Sequence, residues 1–259
     1  MGKFFIMSAS ENTACDANHG AFPATAWSKH FAIRDAASIE RRDLLNLLIH
    51  RYWKPVYYYV RRRGCEHTDA EDRVQGFFSF CIDQNLFAKA DPKRGRFRNL
   101  LLSSLNHYLA NQHRWEHAQI RHPEQGFVNI HELVSGEGEL PLPAPDEPPE
   151  AAFHRVWVSD LLMRVLQTFD QESRGSGKEV HYELFLKRIV EPALEGTDPP
   201  PMAELSARLG LTEKEANNRL LTARRAYQRL LREEIRLFAN SDEEVAAEIQ
   251  DIFRFMTKN

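Results

Sequence analysis

The alternation of hydrophobic and polar residues is clearest over residues 68–114, where it predicts two amphipathic helices. In the first helix, the apolar residues that share one face are Ala70, Val74, Phe77, Phe78, Cys81 and Ile82. The opposite, polar face comprises Asp72, Gln75, Ser79 and Asp83. Thr68 and Glu71 have the spacing of a capping box, in which each side chain bonds a backbone amide that a helix start leaves unpaired. We therefore predict that this helix begins at Thr68.

The second helix has a leucine-rich inner face, formed by Phe97, Leu100, Leu101, Ser104, Leu105, Tyr108 and Leu109. Its outer face carries hydrogen-bonding groups: Arg98, Asn99, Asn106, His107, Asn111, His113 and Arg114. The non-helical turn at residues 91–95 brings a basic cluster to the helix start, namely Lys93, Arg94, Arg96 and Arg98. Backbone amides at a helix start attract anions, so the pattern favours phosphate binding there over a merely solvated basic loop.

The side chains that follow this cluster suit a single strand of nucleic acid. They are Asn106, His107, Asn111, His113, Arg114, Trp115, His117 and Arg121. Amides and imidazoles can reach base edges, and stacking of a base on a Trp or Arg plane contributes about 1–3 kcal/mol. An ordinary polar helix face is the alternative interpretation. His113 and His117 are four residues apart, but no third ligand stands at a persuasive spacing, so we predict no metal site.

Apolar residues at helical spacing also occur before residue 68, at Leu44, Leu45, Leu48 and Tyr52. Pro55 is expected to kink or restart that helix, since it has no amide hydrogen. The helix should then continue through residues 57–59, end at Gly64 and contribute its Tyr and Trp residues to a core. Residues 1–26 show no period, and we expect them to form a loosely ordered arm.

Residues 123–152 are rich in Pro, Gly and Glu and predict an extended, semi-rigid linker. A second helical domain is predicted at 153–240, where Val158, Leu161, Leu162, Val165, Leu166 and Phe169 share one face. Residues 202–209 form a short predicted helix, and Gly210 and Leu211 a tight turn. Thr212 and Glu215 form a second predicted capping box that starts a long helix. This order of elements is typical of a helix-turn-helix.

The long helix has an apolar inner face of Ala216, Leu220, Ala223 and Tyr227. The residues predicted to face outward are Lys214, Asn217, Asn218, Leu221, Thr222 and Arg225, flanked by Arg219 and Arg224. Amides and arginines at the start of a recognition helix are what reading of the major groove requires. A solvated face on a helical hairpin is the alternative. Residues 241–259 predict a C-terminal amphipathic helix, capped by Ser241 and Glu244, that docks either on the preceding domain or on a partner.

Charge is distributed unevenly along the chain, although the net charge of 259 residues is only -3. Residues 51–121 hold 13 Lys or Arg residues against 7 Asp or Glu residues, whereas residues 124–150 hold 7 acidic residues and no Lys or Arg. A basic module is therefore followed by an acidic connector. The three cysteines show no disulfide or zinc spacing, and no stretch has the length of a signal peptide or a membrane span. We expect a cytoplasmic protein.

Two groups of motifs resemble one protein family. Asp69-Ala-Glu-Asp with Gln75 and Phe77-Phe78, followed by Arg94-Gly-Arg-Phe-Arg and the leucine-rich helix, resembles the polymerase-binding and promoter-melting domain of extracytoplasmic-function (ECF) sigma factors of the sigma-70 class. Leu-Gly-Leu-Thr-Glu at residues 209–213, with Arg219-Leu220 and Arg224, is similar to their -35-reading domain. Arg73, Gly76, Asn217 and Leu221 depart from the residues usual in the family.

The resemblance implies an all-α fold of two small domains, a region 2-like domain at 27–122 and a region 4-like domain at 153–240, joined by the acidic linker. It implies that core RNA polymerase binds Asp69, Asp72, Gln75 and Ser79. The opened -10 strand would contact Arg94, Arg96, Arg98, Asn106, His107, Asn111, His113, Arg114, Trp115, His117 and Arg121. The -35 duplex would contact Lys214, Asn217, Asn218, Arg219, Thr222, Arg224 and Arg225.

The predicted function is therefore that of a sigma subunit without catalytic residues, metal or cofactor. No paired carboxylates, Cys–His pair or Gly-rich phosphate loop stands in an arrangement that suggests an enzyme. The alternative function is a helix-turn-helix regulator that binds DNA without polymerase. An anti-sigma protein, a kinase and the N-terminal arm are left open as ways of holding the factor inactive.

Overall fold

A computed structural model describes residues 38–86, 96–111, 128–136, 147–237, 239 and 241–257. Most of these residues are helical and none forms a strand, which confirms the all-α prediction. The predicted arm at 1–26, the turn at 91–95 and the middle of the linker lie outside the described residues. The helices are α1 Ser38–Arg62, α2 His67–Asp83, α3 Phe97–Ala110, α4 Ile130–Gly136, α5 Pro149–Gly175, α6 Glu179–Phe185, α7 Glu191–Glu195, α8 Met202–Arg208, α9 Glu213–Arg236 and α10 Asp242–Thr257.

The described residues fall into two compact units. Val165–Leu231 forms the smaller unit, and the residues up to Arg164 together with those from Arg232 onward form the larger unit. The borders differ from the predicted ones at 153 and 240. The difference arises because the first half of α5 buries Phe153, Trp157 and Leu161 within the larger unit, and because α10 belongs to that unit as well.

The core of the larger unit is built on α1. Tyr52, Val56, Tyr59 and Val60 are at most 2% exposed, so the aromatic residues of this helix are core residues, as predicted. Pro55 lies inside the continuous helix Ser38–Arg62, where the sequence predicted a kink or a restart. The chain then turns through Gly64, whose φ of 89° is a conformation that favours glycine.

Helix α2 begins at His67, and the predicted capping box at Thr68 is wrong. Glu66 occupies the N-cap position, and no side chain caps the helix start. Glu71 is buried, and its carboxylate lies 2.8 Å from Nδ1 of His131 in α4 and 3.5 Å from Nε2 of His67. Because Glu71 is held by these two imidazoles, its carboxylate forms no cap with Thr68.

The described part of the linker is not extended as predicted. Residues 130–136 form α4, which packs on α2 and buries the apolar side chains of Ile130 and Val134. At the other end of the linker, the Glu147 carbonyl accepts a hydrogen bond from Arg62, and the Glu147 carboxylate accepts two from Arg155, at 2.8 and 2.9 Å. Two apolar residues in a polar segment are thus enough to anchor α4, because α2 offers them a complementary surface.

The smaller unit is held together by an aromatic cluster. Phe169 of α5 contacts the rings of Tyr182, Phe185 and Tyr227 at centroid distances of 5.5, 5.5 and 6.3 Å. Edge-to-face ring pairs of this kind add about 0.5–1.5 kcal/mol beyond burial. Burial also raises the pKa of Tyr227 to about 12. The cluster joins α5, α6 and α9, and it thereby positions the helix-turn-helix.

The connection before the helix-turn-helix is partly helical. Leu186–Val190 is a π-helical turn that follows α6, and α7 continues to Glu195. The loop begins at Gly196, which has a left-handed conformation with φ 66°. None of the described helices has the length and apolar character that crossing a membrane requires.

Gly76 allows a close approach between α2 and α3. A Cβ atom at this position would lie 2.4 Å from the hydroxyl oxygen of Tyr108 and 3.6 Å from its Cζ. The Tyr108 ring packs against Phe77 and Phe80 at 5.7 and 5.5 Å, so it has little freedom to withdraw. The glycine lowers helix propensity by about 1 kcal/mol relative to alanine, and the packing explains why it is present.

We predict that Gly76→Ala lowers the free energy of unfolding, since overpacking costs about 1–3 kcal/mol and outweighs the propensity gain. In a Tyr108→Phe background the Cβ meets only Cζ at an ordinary contact distance, so the same substitution should stabilise the protein. Urea unfolding of the four variants in this cycle measures both effects. Equal stabilisation by alanine in both backgrounds would contradict the close approach.

Candidate nucleic-acid interface

A hydrogen-bonded turn joins α8 to α9 in the smaller unit. The Leu211 amide donates to the Ser206 carbonyl at 2.9 Å, and the Gly210 amide donates to the Ala207 carbonyl at 3.3 Å. Gly210 has φ 64°, and together these features form a Schellman motif, which pairs the carbonyls of Ser206 and Ala207 at the end of α8. Leu205 of α8 is buried next to this turn, and α9 follows it.

The start of α9 is fixed by the predicted capping box. The Glu215 amide donates to Oγ1 of Thr212 at 3.2 Å, and the Thr212 amide donates to the Glu215 carboxylate at 2.9 Å. The Thr212 hydroxyl also donates to this carboxylate, at 2.8 Å. The hydrogen bonds from the Thr212 amide and hydroxyl lower the pKa of Glu215 below its usual value. The sequence prediction is confirmed at this position.

The two faces of α9 are oriented as predicted. Ala216, Leu220 and Ala223 are buried, and Tyr227 is half-buried. The side chains exposed to solvent are Lys214, Asn217, Asn218, Leu221, Thr222 and Arg225, which we call the reading face. Of the two flanking arginines, Arg224 is exposed and Arg219 is half-buried.

The reading face carries side-chain types that are able to bond a DNA duplex. Asn side chains can bond adenine in a bidentate manner, arginine can do so with guanine, and an apolar side chain can contact the thymine methyl group. Leu221 is 48% exposed and could supply the apolar contact. The side chains of Asn217 and Thr222 donate to carbonyls of their own helix, at 2.8 and 3.0 Å.

Two cations, Lys178 and Arg219, act on the imidazole of His181 at the start of α6. Burial lowers the pKa of His181, and the charges of Arg219 and Lys178 lower it further. The neighbouring cations thus disfavour a third positive charge on the imidazole.

The four predicted polymerase contacts on α2 do not form one exposed surface. Asp69 and Asp72 are exposed, and the Asp72 carboxylate lies 3.3 Å from Nε2 of His131. Gln75 is half-buried, and its side-chain oxygen accepts the Ile130 amide at 2.9 Å. Ser79 is buried and donates to the Gln75 carbonyl, which corrects its predicted outward orientation. Helix α4 therefore covers part of the face that the sequence assigned to polymerase.

The residues predicted to bind the -10 strand are only partly described. Asn106 accepts a hydrogen bond from Tyr59, His107 is exposed, and Asn111 donates to the His107 carbonyl at 2.8 Å. Arg96 and Arg98 lie in the larger unit at the start of α3. The other six lie outside the described residues: Arg94, His113, Arg114, Trp115, His117 and Arg121.

Arg98 was predicted to face outward, but its guanidinium is buried, with 8% of the residue exposed. It forms ion pairs with Glu248 and Asp251 of α10 and lies 4.8 Å from the centre of the Trp157 ring. Arg96 is half-buried and pairs with the same two carboxylates. Burial lowers the pKa of Arg96, an effect that the Glu248 charge partly offsets.

Sequence reasoning missed the acidic partners of these arginines. Glu244, Glu248 and Asp251 follow the i, i+4, i+7 spacing of one helix face, so the sequence does contain an acidic stripe on α10. Nothing in the local pattern of α10 indicates which basic residues that stripe meets. In the described part of the chain, no group of three or more His, Cys, Asp or Glu residues is arranged to hold a metal ion.

Comparison of the chain with known protein families, with curated proteins and with solved structures found no match.

The hydrogen bonds between Thr212 and Glu215 lead to a prediction about stability. Thr212→Ala should lower the free energy of unfolding at pH 7 by about 1 kcal/mol, as is typical for loss of an N-cap. The Glu215 pKa is depressed in the folded state, so its contribution is present above the usual value of 4.5 and is lost as the pH falls through the folded-state pKa.

The deficit of Thr212→Ala should therefore shrink in acid, which urea unfolding at pH 7 and at low pH measures. Thr222→Ala is the matched control, since the Thr222 hydroxyl only donates to the Asn218 carbonyl within the exposed helix. A deficit that is the same at both pH values would show that the carboxylate does not act through Thr212.

Proposed function

We propose that the chain is a sigma-type subunit that binds core RNA polymerase and directs it to promoter DNA. The observation that carries this proposal is the helix-turn-helix, whose turn and cap are hydrogen-bonded and whose reading face is exposed. A helix presented in this way fits the major groove. The resemblance of both sequence segments to ECF sigma factors, in their expected order, links this DNA-binding element to polymerase.

In this proposal, α9 reads the -35 duplex. Asn217 and Asn218 lie in the first turns of the helix, the part that contacts base edges in helix-turn-helix proteins. Lys214 and Arg225 are exposed cations that can contact phosphates and set the register. Leu221, which departs from the residues common in the family, would favour a thymine at the position that it contacts.

Polymerase binding is assigned to the exposed acidic part of α2, and strand opening to α3 and the residues that follow it. Asp69 and Asp72 present carboxylates to solvent, which suits an arginine-bearing partner surface. The role of Gln75 requires that α4 move away, because its side-chain oxygen now accepts the Ile130 amide. The chain performs no bond chemistry in this proposal; it converts polymerase binding into the choice of a DNA sequence.

One observation favours the alternative of a regulator that acts without polymerase. The reading face of α9 is exposed in the chain alone, whereas Gln75 is engaged by α4 and both Arg96 and Arg98 are paired with α10. A protein that needs only its helix-turn-helix would be active in this state. Duplex binding by the purified chain distinguishes the two functions.

We predict that the purified chain co-elutes with bacterial core RNA polymerase that lacks sigma, and that Asp72→Arg abolishes co-elution. The substitution places a cation where the partner surface requires a carboxylate, and its exposed position should leave the fold intact. Glu204→Arg is the matched control, because Glu204 is an exposed acid on α8. Absence of co-elution by the folded wild-type chain, or equal loss in both variants, would contradict the assignment to α2.

A second prediction concerns duplex DNA selected from a random pool. Under the sigma proposal, sequence-specific binding appears only when core polymerase is present, and Arg225→Ala weakens it while reducing the salt slope by about 1. Arg174→Ala, an equal charge loss on an exposed part of α5 in the same unit, should have little effect. Specific, salt-dependent binding by the chain alone would instead support the regulator.

A further inference from the structure

Helix α10 supplies carboxylates to arginines that the sequence assigned to nucleic acid. Arg98 pairs with Glu248 and Asp251, and its Nη2 lies 3.3 Å from the Asp251 carboxylate. Arg96 pairs with the same residues, and its Nε lies 3.6 Å from the Glu248 carboxylate. Carboxylates and phosphates bind guanidinium groups through the same charge-assisted hydrogen bonds. The two acids therefore occupy the positions that phosphate oxygens would need.

The contact between α10 and Arg98 makes this arginine inaccessible to a ligand. Arg98 has 8% of its area exposed, and Trp157 covers one face of its guanidinium. A small cleft at this place is lined by Tyr52, Phe97, Arg98, Trp157 and Glu248, with no room for a nucleotide. A single strand could not reach Arg98 while α10 is docked.

Besides the ion pairs, buried apolar side chains hold α10 in place, and a local cap stabilises the helix itself. Val245 and Ile252 bury their side chains, with 4% and 1% of their areas exposed. Ser241 caps the helix start by accepting the Glu244 amide at 3.2 Å. The described part of α10 is therefore attached partly through buried apolar side chains and partly through ion pairs that a polyanion can compete for.

The segment that leads to α10 is also tied to the larger unit. The carboxylate of Glu234, at the end of α9, accepts two hydrogen bonds from Arg51, at 3.0 and 2.9 Å, and one from Arg164 at 3.2 Å. Released α10 would therefore remain anchored at Glu234. It would stay close to the surface it left, at a high effective concentration, so closure would be reversible.

We propose that α10 is an intramolecular competitor of single-stranded nucleic acid, whose carboxylates close the Arg96 and Arg98 surface until α10 is released. The inference rests on the proposed function in that it regulates the assigned -10 surface. Nucleic acid and α10 exclude each other there. By thermodynamic reciprocity, whatever binds α10 favours strand binding, and a bound strand releases α10.

The test measures binding of a fluorescent single-stranded DNA oligonucleotide by the full-length chain carrying Glu248→Gln and Asp251→Asn. Both changes keep the side-chain shape and remove the charge. We expect affinity to rise about tenfold at low salt, with a salt slope steeper by about 1.4, because two arginines become available for phosphates. Adding Arg96→Ala should remove much of the gain.

The matched control is Glu195→Gln with Asp198→Asn, which makes the same change of net charge at exposed positions of the smaller unit. It should bind the oligonucleotide as the wild type does. An equal gain in this control would attribute the effect to net charge and overturn the proposal.

Amide hydrogen exchange of α10 reports its release independently, and Ile252→Asp, which removes the apolar anchor, is the second variant. We expect faster exchange and tighter strand binding together in both variants. Faster exchange without tighter strand binding would overturn the proposal. Amides of α10 that stay protected from exchange in both variants would also overturn it. If co-elution with core polymerase fails but the strand-binding gain depends on Arg96, the sigma function is wrong and the competitor role of α10 stands. If co-elution is intact but strand binding does not tighten, the competitor role is wrong and the sigma function stands.

Discussion

A guanidinium group lies almost completely out of solvent at the start of α3, and the larger unit is arranged to compensate its charge. Arg98 receives carboxylates from Glu248 and Asp251 and the ring face of Trp157. Removing one partner of a buried ion pair costs about 3–5 kcal/mol, because the remaining charge stays buried and unpaired. Helices α3, α5 and α10 are therefore mutually dependent around this group, although they are far apart in the chain.

The need to pair buried polar and charged groups is met differently at the two candidate binding surfaces. The helix-turn-helix has its turn and the start of α9 closed by local hydrogen bonds, through the Gly210 turn and the Thr212 cap. Its polar face is consequently left to solvent. Arg96 and Arg98 are instead satisfied by acids of the same chain, so any anionic ligand must compete with them. The outward face of α9 is thus exposed in this structure, whereas Arg96 and Arg98 are already paired with acids of α10.

Sequence patterns predicted features that depend on near neighbours, and they failed where a distant residue competed. Thr212 and Glu215 form the predicted cap because both lie in the same exposed turn. Thr68 and Glu71 have the same spacing but form no cap, since the Glu71 carboxylate is held by His131, sixty positions along the chain. Gly76 shows the same limit: its sequence neighbours suggest only a weakened helix, whereas its packing partner is Tyr108.

The sequence by itself determined the helical class, the inward and outward faces of α9 and the capped turn before it, because helical periodicity and capping act over three or four residues. Tertiary structure alone decided that α4 packs on α2, that α5 contributes its first half to the larger unit, and that α10 neutralises Arg98. Each of these depends on complementary charge or apolar surface brought together from distant parts of the chain, which no local period encodes.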